Sequence, residues 1–66
     1  MAGNTRGKLK EHFEGIHRNF DWIEYHCDLS VALIGGRNHK LETAIKALHK
    51  EIRALDKLAQ GLYATI

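Results

Sequence analysis

The chain has 66 residues, a formal net charge of +2, one cysteine and no proline. This length fits a single domain, residues 1–66. The charge is too small to identify a nucleic-acid-binding protein, and one cysteine cannot form a disulfide within the chain, so we expect a reducing, cytoplasmic setting. The longest apolar run without a charge, Leu29 to Ile34, is far shorter than the roughly 20 residues of a membrane-spanning helix. We therefore expect no membrane association.

The first half of the chain carries one long heptad pattern. Apolar residues recur at alternating spacings of four and three, and this 3.5-residue period indicates the contact stripe of a packed helix. The positions are Leu9, Phe13, Ile16, Phe20, Ile23, Cys27, Ser30 and Ile34. Only Ser30 among them is polar. The pattern predicts a first helix over about residues 6–34.

A short link that contains two glycines separates this helix from a second one. Gly35 suits the left-handed conformation that ends a helix, and the Asn38 side chain suits the cap of the next helix. After the turn at 35–38 the same alternation returns at Leu41, Ile45, Leu48, Ile52, Leu55, Ala59, Leu62 and Ile66. These positions and those of the first helix together form the apolar seam. The second helix is predicted over about 39–63, and so short a link makes the two helices antiparallel neighbours in an all-α hairpin.

Both helices carry further apolar or small residues away from the seam, and we call these positions the second stripe. They are Gly15, Trp22 and Leu29 on the first helix and Ala47, Ala54, Leu58 and Gly61 on the second. A lone hairpin offers no partner to Trp22 and Leu29 once its seam is packed, and a chain this short buries little apolar surface by itself. The second stripe therefore predicts a homo-oligomeric helical bundle, either a dimer or a higher oligomer. A wall for an aromatic ligand is the alternative use of the same residues.

Basic side chains crowd the turn. Arg37, His39 and Lys40 stand beside two glycines and the first N–H groups of the second helix, and this arrangement suits a phosphate group. An ordinary structural turn is the alternative. In an antiparallel dimer this end of one copy would meet Arg6 and Lys8 of the other copy.

Three ring-bearing side chains of the first helix complete a candidate nucleotide site. A base could stack on Trp22, Tyr25 or His26 while the basic groups hold its phosphate. The outer face of the second helix adds a line of cations, Lys46, Lys50, Arg53 and Lys57. This basic line suits either plain solvent or an RNA backbone.

Catalytic and metal chemistry are not expected. Glu14 and His17 have the E-x-x-H spacing of di-metal helical bundles, but they flank the seam rather than point inward from it. Cys27 and Ser30 lie within the apolar seam, where a substrate has no access. The sequence thus predicts no metal site, no cofactor and no enzymatic activity.

The chain's size and its two matched heptad segments around Gly35 to Asn38 resemble two groups of small hairpin proteins. One is the plasmid-encoded RNA-binding hairpin dimer that forms a four-helix bundle. The other is the group of phage-encoded helical-hairpin sponges, anti-defence proteins that sequester cyclic-nucleotide signals. The second resemblance implies a homo-oligomeric phage protein that holds a small anionic ligand, such as a nucleotide, between its subunits. The alternatives are an adaptor or inhibitor that binds a host protein through an outer helical face, and an RNA-binding hairpin dimer.

Overall fold

Two long helices make up the fold. A computed structural model describes residues 3–66, with α1 at Gly3–Ile34 and α2 at His39–Thr65. The described part contains no strand, so the prediction of a two-helix, all-α chain is confirmed. The first two residues of the predicted domain lie outside the described range. None of the described helices combines the length and the apolar character that crossing a membrane requires.

The turn forms as the sequence predicts. Gly35 and Gly36 have φ values of 56° and 79°, in the left-handed region where a side chain would be strained. The Gly35 N–H donates to the Val31 carbonyl at 3.1 Å, which closes the end of α1. The Asn38 side-chain oxygen accepts from the Leu41 N–H at 3.1 Å, which caps α2.

The outer ends of both helices run past the predicted limits. Helix α1 begins at Gly3 rather than near residue 6, and α2 ends at Thr65 rather than near residue 63. A glycine in a helix costs only about 1 kcal/mol relative to alanine, so Gly7 weakens the first turns without ending the helix. The molecule is consequently long and thin, with extents of 54 × 15 × 11 Å.

The apolar seam divides into two halves, which the heptad pattern alone did not predict. Its inner half faces the neighbouring helix and consists of Phe13, Phe20, Cys27 and Ile34 with Ile45, Ile52, Ala59 and Ile66. Cys27, only 6% exposed, is the most deeply buried of the described apolar side chains. A pair of helices touches along one narrow strip, so half of the seam suffices to fill the contact.

The outer half of the seam is only partly covered. It consists of Leu9, Ile16, Ile23 and Ser30 on α1 and Leu41, Leu48, Leu55 and Leu62 on α2, and we call it the leucine face. The six residues Ile16, Ile23, Leu41, Leu48, Leu55 and Leu62 are between 37% and 51% exposed. In an antiparallel pair these positions lie on the same flank of both helices. Polar cross-helix contacts occupy the opposite flank.

The second stripe lies on the outside of the hairpin. Trp22, Leu29 and Leu58 are exposed, and so are Ala47, Ala54 and Gly61, whereas Gly15 is half-buried. The stripe is therefore available for contact with another molecule, and its use as an oligomer interface stays a prediction.

Candidate functional site

Hydrogen bonds between the helices line one flank of the hairpin, which we call the polar face. The His17 ring donates from Nδ1 to the Asp56 carboxylate, whose oxygens lie 2.9 and 3.0 Å away. The Glu24 carboxylate accepts from His49 Nε2 at 3.2 Å and from Arg53 Nε at 3.1 Å. Acidic and basic groups on this face are thus largely paired with one another across the two helices.

His17 is the centre of a small cluster on the polar face. Its Nε2 atom lies 3.6 Å from an Asp21 carboxylate oxygen, and the ligand atoms of His17, Asp21 and Asp56 all lie within 4.8 Å of one another. The hydrogen bond to Asp56 is the main cause that raises the pKa of His17 above its ordinary value of 6.5. The Gln60 side-chain amide lies 2.7 Å from the same Nδ1 atom. The two ring nitrogens thus face different carboxylates, which suits an imidazolium held as a bridge between the helices.

Glu14 and His17, which have the E-x-x-H spacing, do not form one site. Glu14 does not join His17 around a common point, because its carboxylate accepts a hydrogen bond from the Tyr63 hydroxyl at 3.0 Å. That bond raises the pKa of Tyr63. A metal ion could take only one of the His17 nitrogens, leaving Nε2 and Asp21 as the nearest donor pair. The expectation of no metal site stays a prediction.

The three ring-bearing side chains predicted to stack on a base do lie together. The Trp22 and His26 rings stack at 5.5 Å between centroids, and Tyr25 packs edge-on against both, at 5.6 and 5.7 Å. Trp22 is 59% exposed and Tyr25 is 52% exposed, so their outer surfaces are open to a ligand. The helix itself brings the three together, because residues three and four apart share one face.

A shallow groove of about 450 Å³ runs beside these rings, and Arg18, Asp21, Trp22 and Tyr25 line it. We call it the aromatic groove. Arg18 makes no ion pair or side-chain hydrogen bond with any described residue, so its guanidinium is available to an anion. Sequence reasoning missed Arg18, although its position one turn before Trp22 places the two side chains on one face.

Arg18 also borders a second groove, on the polar face. This groove has a volume of about 370 Å³ and is lined by Phe13, Glu14, His17, Arg18, Ala59, Gln60 and Tyr63. The Lys10 ammonium lies 5.8 Å from the centre of the Tyr63 ring, at cation–π range. Each groove has one carboxylate in its lining, Glu14 here and Asp21 in the aromatic groove, so the exposed Trp22 ring is what favours the aromatic groove for a nucleotide.

Arg37 has a structural role at the turn. Its guanidinium donates to the Ile34 and Leu33 carbonyls, at 3.0 and 2.8 Å, and so binds the open carbonyl end of α1. Two N–H groups of Arg37, a residue predicted to bind phosphate, therefore already donate to carbonyls within the chain. His39 and Lys40 are exposed at the start of α2 and make no side-chain hydrogen bond to described residues.

The other predicted phosphate ligands lie at the far end of the hairpin. Arg6 donates from Nε to the Ile66 carbonyl, and Lys8 is exposed. About 24 Å of helix separates Arg6 from Trp22, and about 18 Å separates Trp22 from Ile34 at the end of α1. Within one chain the structure does not bring the predicted phosphate ligands to the predicted stacking residues. Arg18 is the cation that does lie beside the rings.

The basic line on α2 is partly neutralised. The Lys46 ammonium lies 3.7 Å from Glu42, and Arg53 pairs with Glu24. Lys50 and Lys57 are the two members that form no ion pair with described residues. A line of four cations is thereby reduced to two uncompensated charges, which weakens its suitability for an RNA backbone.

Comparison of the chain with protein-family models, with curated proteins and with solved structures gives no match.

Proposed function

We propose that this protein is a non-catalytic, homo-oligomeric binding protein that sequesters a small anionic ligand of the nucleotide class between its subunits. The observation that carries the proposal is the aromatic groove. Trp22 and Tyr25 present exposed ring surface, and Arg18 stands beside them without an ion pair to any described residue. Ring surface with an adjacent cation matches a base with an adjacent phosphate.

The groove offers a suitable side chain to the base, to the phosphate and to the sugar of a nucleotide. Stacking of a base on an aromatic side chain is worth about 1–3 kcal/mol, whichever base it is. The Arg18 guanidinium is planar and can donate two parallel hydrogen bonds to phosphate oxygens. The Asp21 carboxylate at the same groove can accept hydrogen bonds from sugar hydroxyls or from amino groups of the base.

The groove is shallow, and for that reason the ligand is proposed to lie between subunits. Small-molecule sites usually cover most of the ligand surface, which one open helix face does not do. When the ligand is bound, a further copy packed on the outer side of α1, where Trp22 lies, supplies the opposite wall. The exposed His39, Lys40 and Lys8 side chains then add positive potential at the ends of the assembly. This arrangement gives Arg18 the role of direct phosphate ligand and leaves the ends as attracting charge.

Sequestration, rather than conversion, is the activity that fits this site. The groove offers stacking and charge but pairs them with no activated nucleophile: the Cys27 thiol is buried and the Ser30 hydroxyl donates to the His26 carbonyl at 2.7 Å. Removal of a cyclic-nucleotide signal from the cytoplasm, as the resemblance to the phage sponges implies, is the proposed biological use.

A second candidate function draws on the same exposed rings. Tyrosine and tryptophan are enriched at protein interfaces, so Trp22 and Tyr25 could anchor a host protein instead of a nucleotide. The protein would then act as an adaptor or inhibitor. RNA binding ranks lower, because Lys46 and Arg53 are already paired with carboxylates.

The proposal is tested by titration of the unmodified protein with mono-, di- and cyclic nucleotides. Trp22 is the single tryptophan, so its fluorescence reports any base that stacks on it, and calorimetry gives the affinity. Hydrogen bonds to charged groups are worth about 1.5–3 kcal/mol, so Arg18→Gln should weaken binding roughly tenfold to a hundredfold.

The matched control is Lys50→Gln, which removes one positive charge from an exposed position on the other helix. It should leave affinity within about twofold, since a distant surface charge acts only through a screened field. Equal weakening of binding by both substitutions would mean that Arg18 acts only through the net charge of the protein and does not contact the phosphate. Absence of binding across the whole nucleotide panel would overturn the proposal and favour the adaptor.

A further inference from the structure

The leucine face is an apolar ladder that the hairpin covers only in part, with six of its side chains between 37% and 51% exposed. The His17–Asp56 and Glu24–His49 hydrogen bonds fix the register of the two helices. That register places the leucine face in four rungs, Leu9 with Leu62, Ile16 with Leu55, Ile23 with Leu48, and Ser30 with Leu41. No position in the ladder is charged.

We propose that a second copy of this chain covers the leucine face, so that two hairpins form a four-helix bundle with the four rungs of each copy at its centre. The interface differs from the second stripe predicted from the sequence. It is a contact separate from the one that closes the aromatic groove, because Trp22 lies on the second stripe and not on the leucine face, and it does not rest on the proposed function.

The exposed surface area of the chain supports a second copy as the partner of the leucine face. A compact folded monomer of 7.5 kDa exposes about 4,200 Å² by the usual scaling of surface with mass. This chain exposes 5264 Å². The excess of about 1,000 Å² is close to the roughly 800 Å² that each partner contributes to a standard protein interface. One further copy is therefore enough to bring the exposed area to the ordinary range.

The chemistry of the face suits burial against itself. Ser30 is its only polar side chain, and its hydroxyl already donates to the His26 carbonyl at 2.7 Å, so covering it leaves no donor without a partner. The positions that flank the face are His12, Asn19, His26 and Leu33 on α1 and Ala44, Glu51 and Leu58 on α2. Glu51 is the one carboxylate among them, so two copies meet without opposed rows of like charge.

The polar face and the second stripe are less suitable as the main contact. The polar face carries paired charges such as Glu24 with Arg53, which would lose their hydration on burial. The second stripe has small residues at Ala47, Ala54 and Gly61, which contribute little apolar area. Neither provides a continuous row of large aliphatic side chains.

The test is the molar mass in solution, measured by sedimentation over a range of protein concentrations. The unmodified chain should sediment at twice its mass of 7.5 kDa. Leu48→Glu places a charge in the centre of the leucine face and should sediment as a single chain under the same conditions. Ala47→Glu, one residue away on the second stripe, is the matched control and should remain a dimer.

A second variant keeps the proposal falsifiable if Leu48→Glu does not fold. Ser30→Leu fills the one polar position of the ladder and adds two leucines to each dimer interface. It should tighten the dimer dissociation constant at least tenfold, since burying a leucine is worth about 1.5–3 kcal/mol. On an uncovered face the same substitution would leave the mass unchanged.

Three results would overturn the proposal. They are a single-chain mass for the unmodified protein at every concentration, a Ser30→Leu variant that associates no more tightly, and dissociation by Ala47→Glu with a dimer retained by Leu48→Glu. The last result would assign the interface to the second stripe. A dimer that binds no nucleotide would leave this interface standing and overturn the proposed function alone.

Discussion

Replacement of Leu48 by alanine tests whether the leucine face is covered by a second copy. The free energy of unfolding should fall more if the face is covered than if it is exposed to solvent. Fully burying a leucine side chain is worth about 1.5–3 kcal/mol. Leu48 is 51% exposed in the hairpin, so an isolated hairpin should lose only about 1 kcal/mol. Under a second copy the site is a core position, where Leu→Ala substitutions cost about 2–5 kcal/mol.

The assay is urea denaturation followed by circular dichroism at several protein concentrations. We expect a loss above about 2 kcal/mol per chain where the dimer is populated, decreasing toward about 1 kcal/mol on dilution. Lys46→Ala is the control, since Lys46 is exposed and its pairing with Glu42 at 3.7 Å is a surface ion pair. Its loss should stay within about 0.5 kcal/mol. A Leu48→Ala loss near 1 kcal/mol at every concentration would refute the covered face.

Three further outcomes are expected. The raised pKa of His17 stabilises the fold when the ring is protonated, so the free energy of unfolding should fall as the pH rises through and above 6.5, and Asp56→Asn should flatten that slope in thermal denaturation at a series of pH values. Asn38→Ala removes the cap of α2 and should cost about 1 kcal/mol in the same assay, whereas loss within error would mean that the cap is not used. Arg37→Ala should also destabilise the fold, by about 1 kcal/mol, because its guanidinium binds the last carbonyls of α1; an unchanged stability with weakened nucleotide binding would return Arg37 to the role of phosphate ligand.

Local chemistry at the turn was enough to predict the hairpin. Gly35 has the left-handed conformation that its place at the end of a heptad run required, and Asn38 caps α2 through its side chain. Both features depend on neighbours in the sequence, so no distant contact had to be known. The heptad spacing likewise determined which residues form the seam.

The division of the seam into a buried inner half and a partly exposed outer half could not be predicted from the pattern of either helix alone. A 3.5-residue repeat identifies a stripe of two positions per heptad, but the rotation of one helix against the other decides which position faces inward. Here His17, Glu24, His49 and Asp56 pair across the helices on the flank opposite the leucine face. That rotation turns Leu48 and its equivalents outward.

The candidate site was predicted in part. The clustering of Trp22, Tyr25 and His26 follows from helical spacing, and the structure brings them together. The role of Arg37 as the phosphate ligand stays a prediction, although two of its donors bind carbonyls of α1. Its contacts with the α1 carbonyls depend on how the helix ends, whereas Arg18 differs by having the rings as neighbours and no carboxylate partner.

Native mass spectrometry of the freshly purified protein tests the whole account most directly, because it reports the number of chains and any retained ligand in one spectrum. We predict a species of two or more 7.5 kDa chains, with an added mass in the nucleotide range that is retained on gentle ionisation and lost in the Arg18→Gln variant. A spectrum that contains only the single chain, and takes up no nucleotide when one is added, would contradict it.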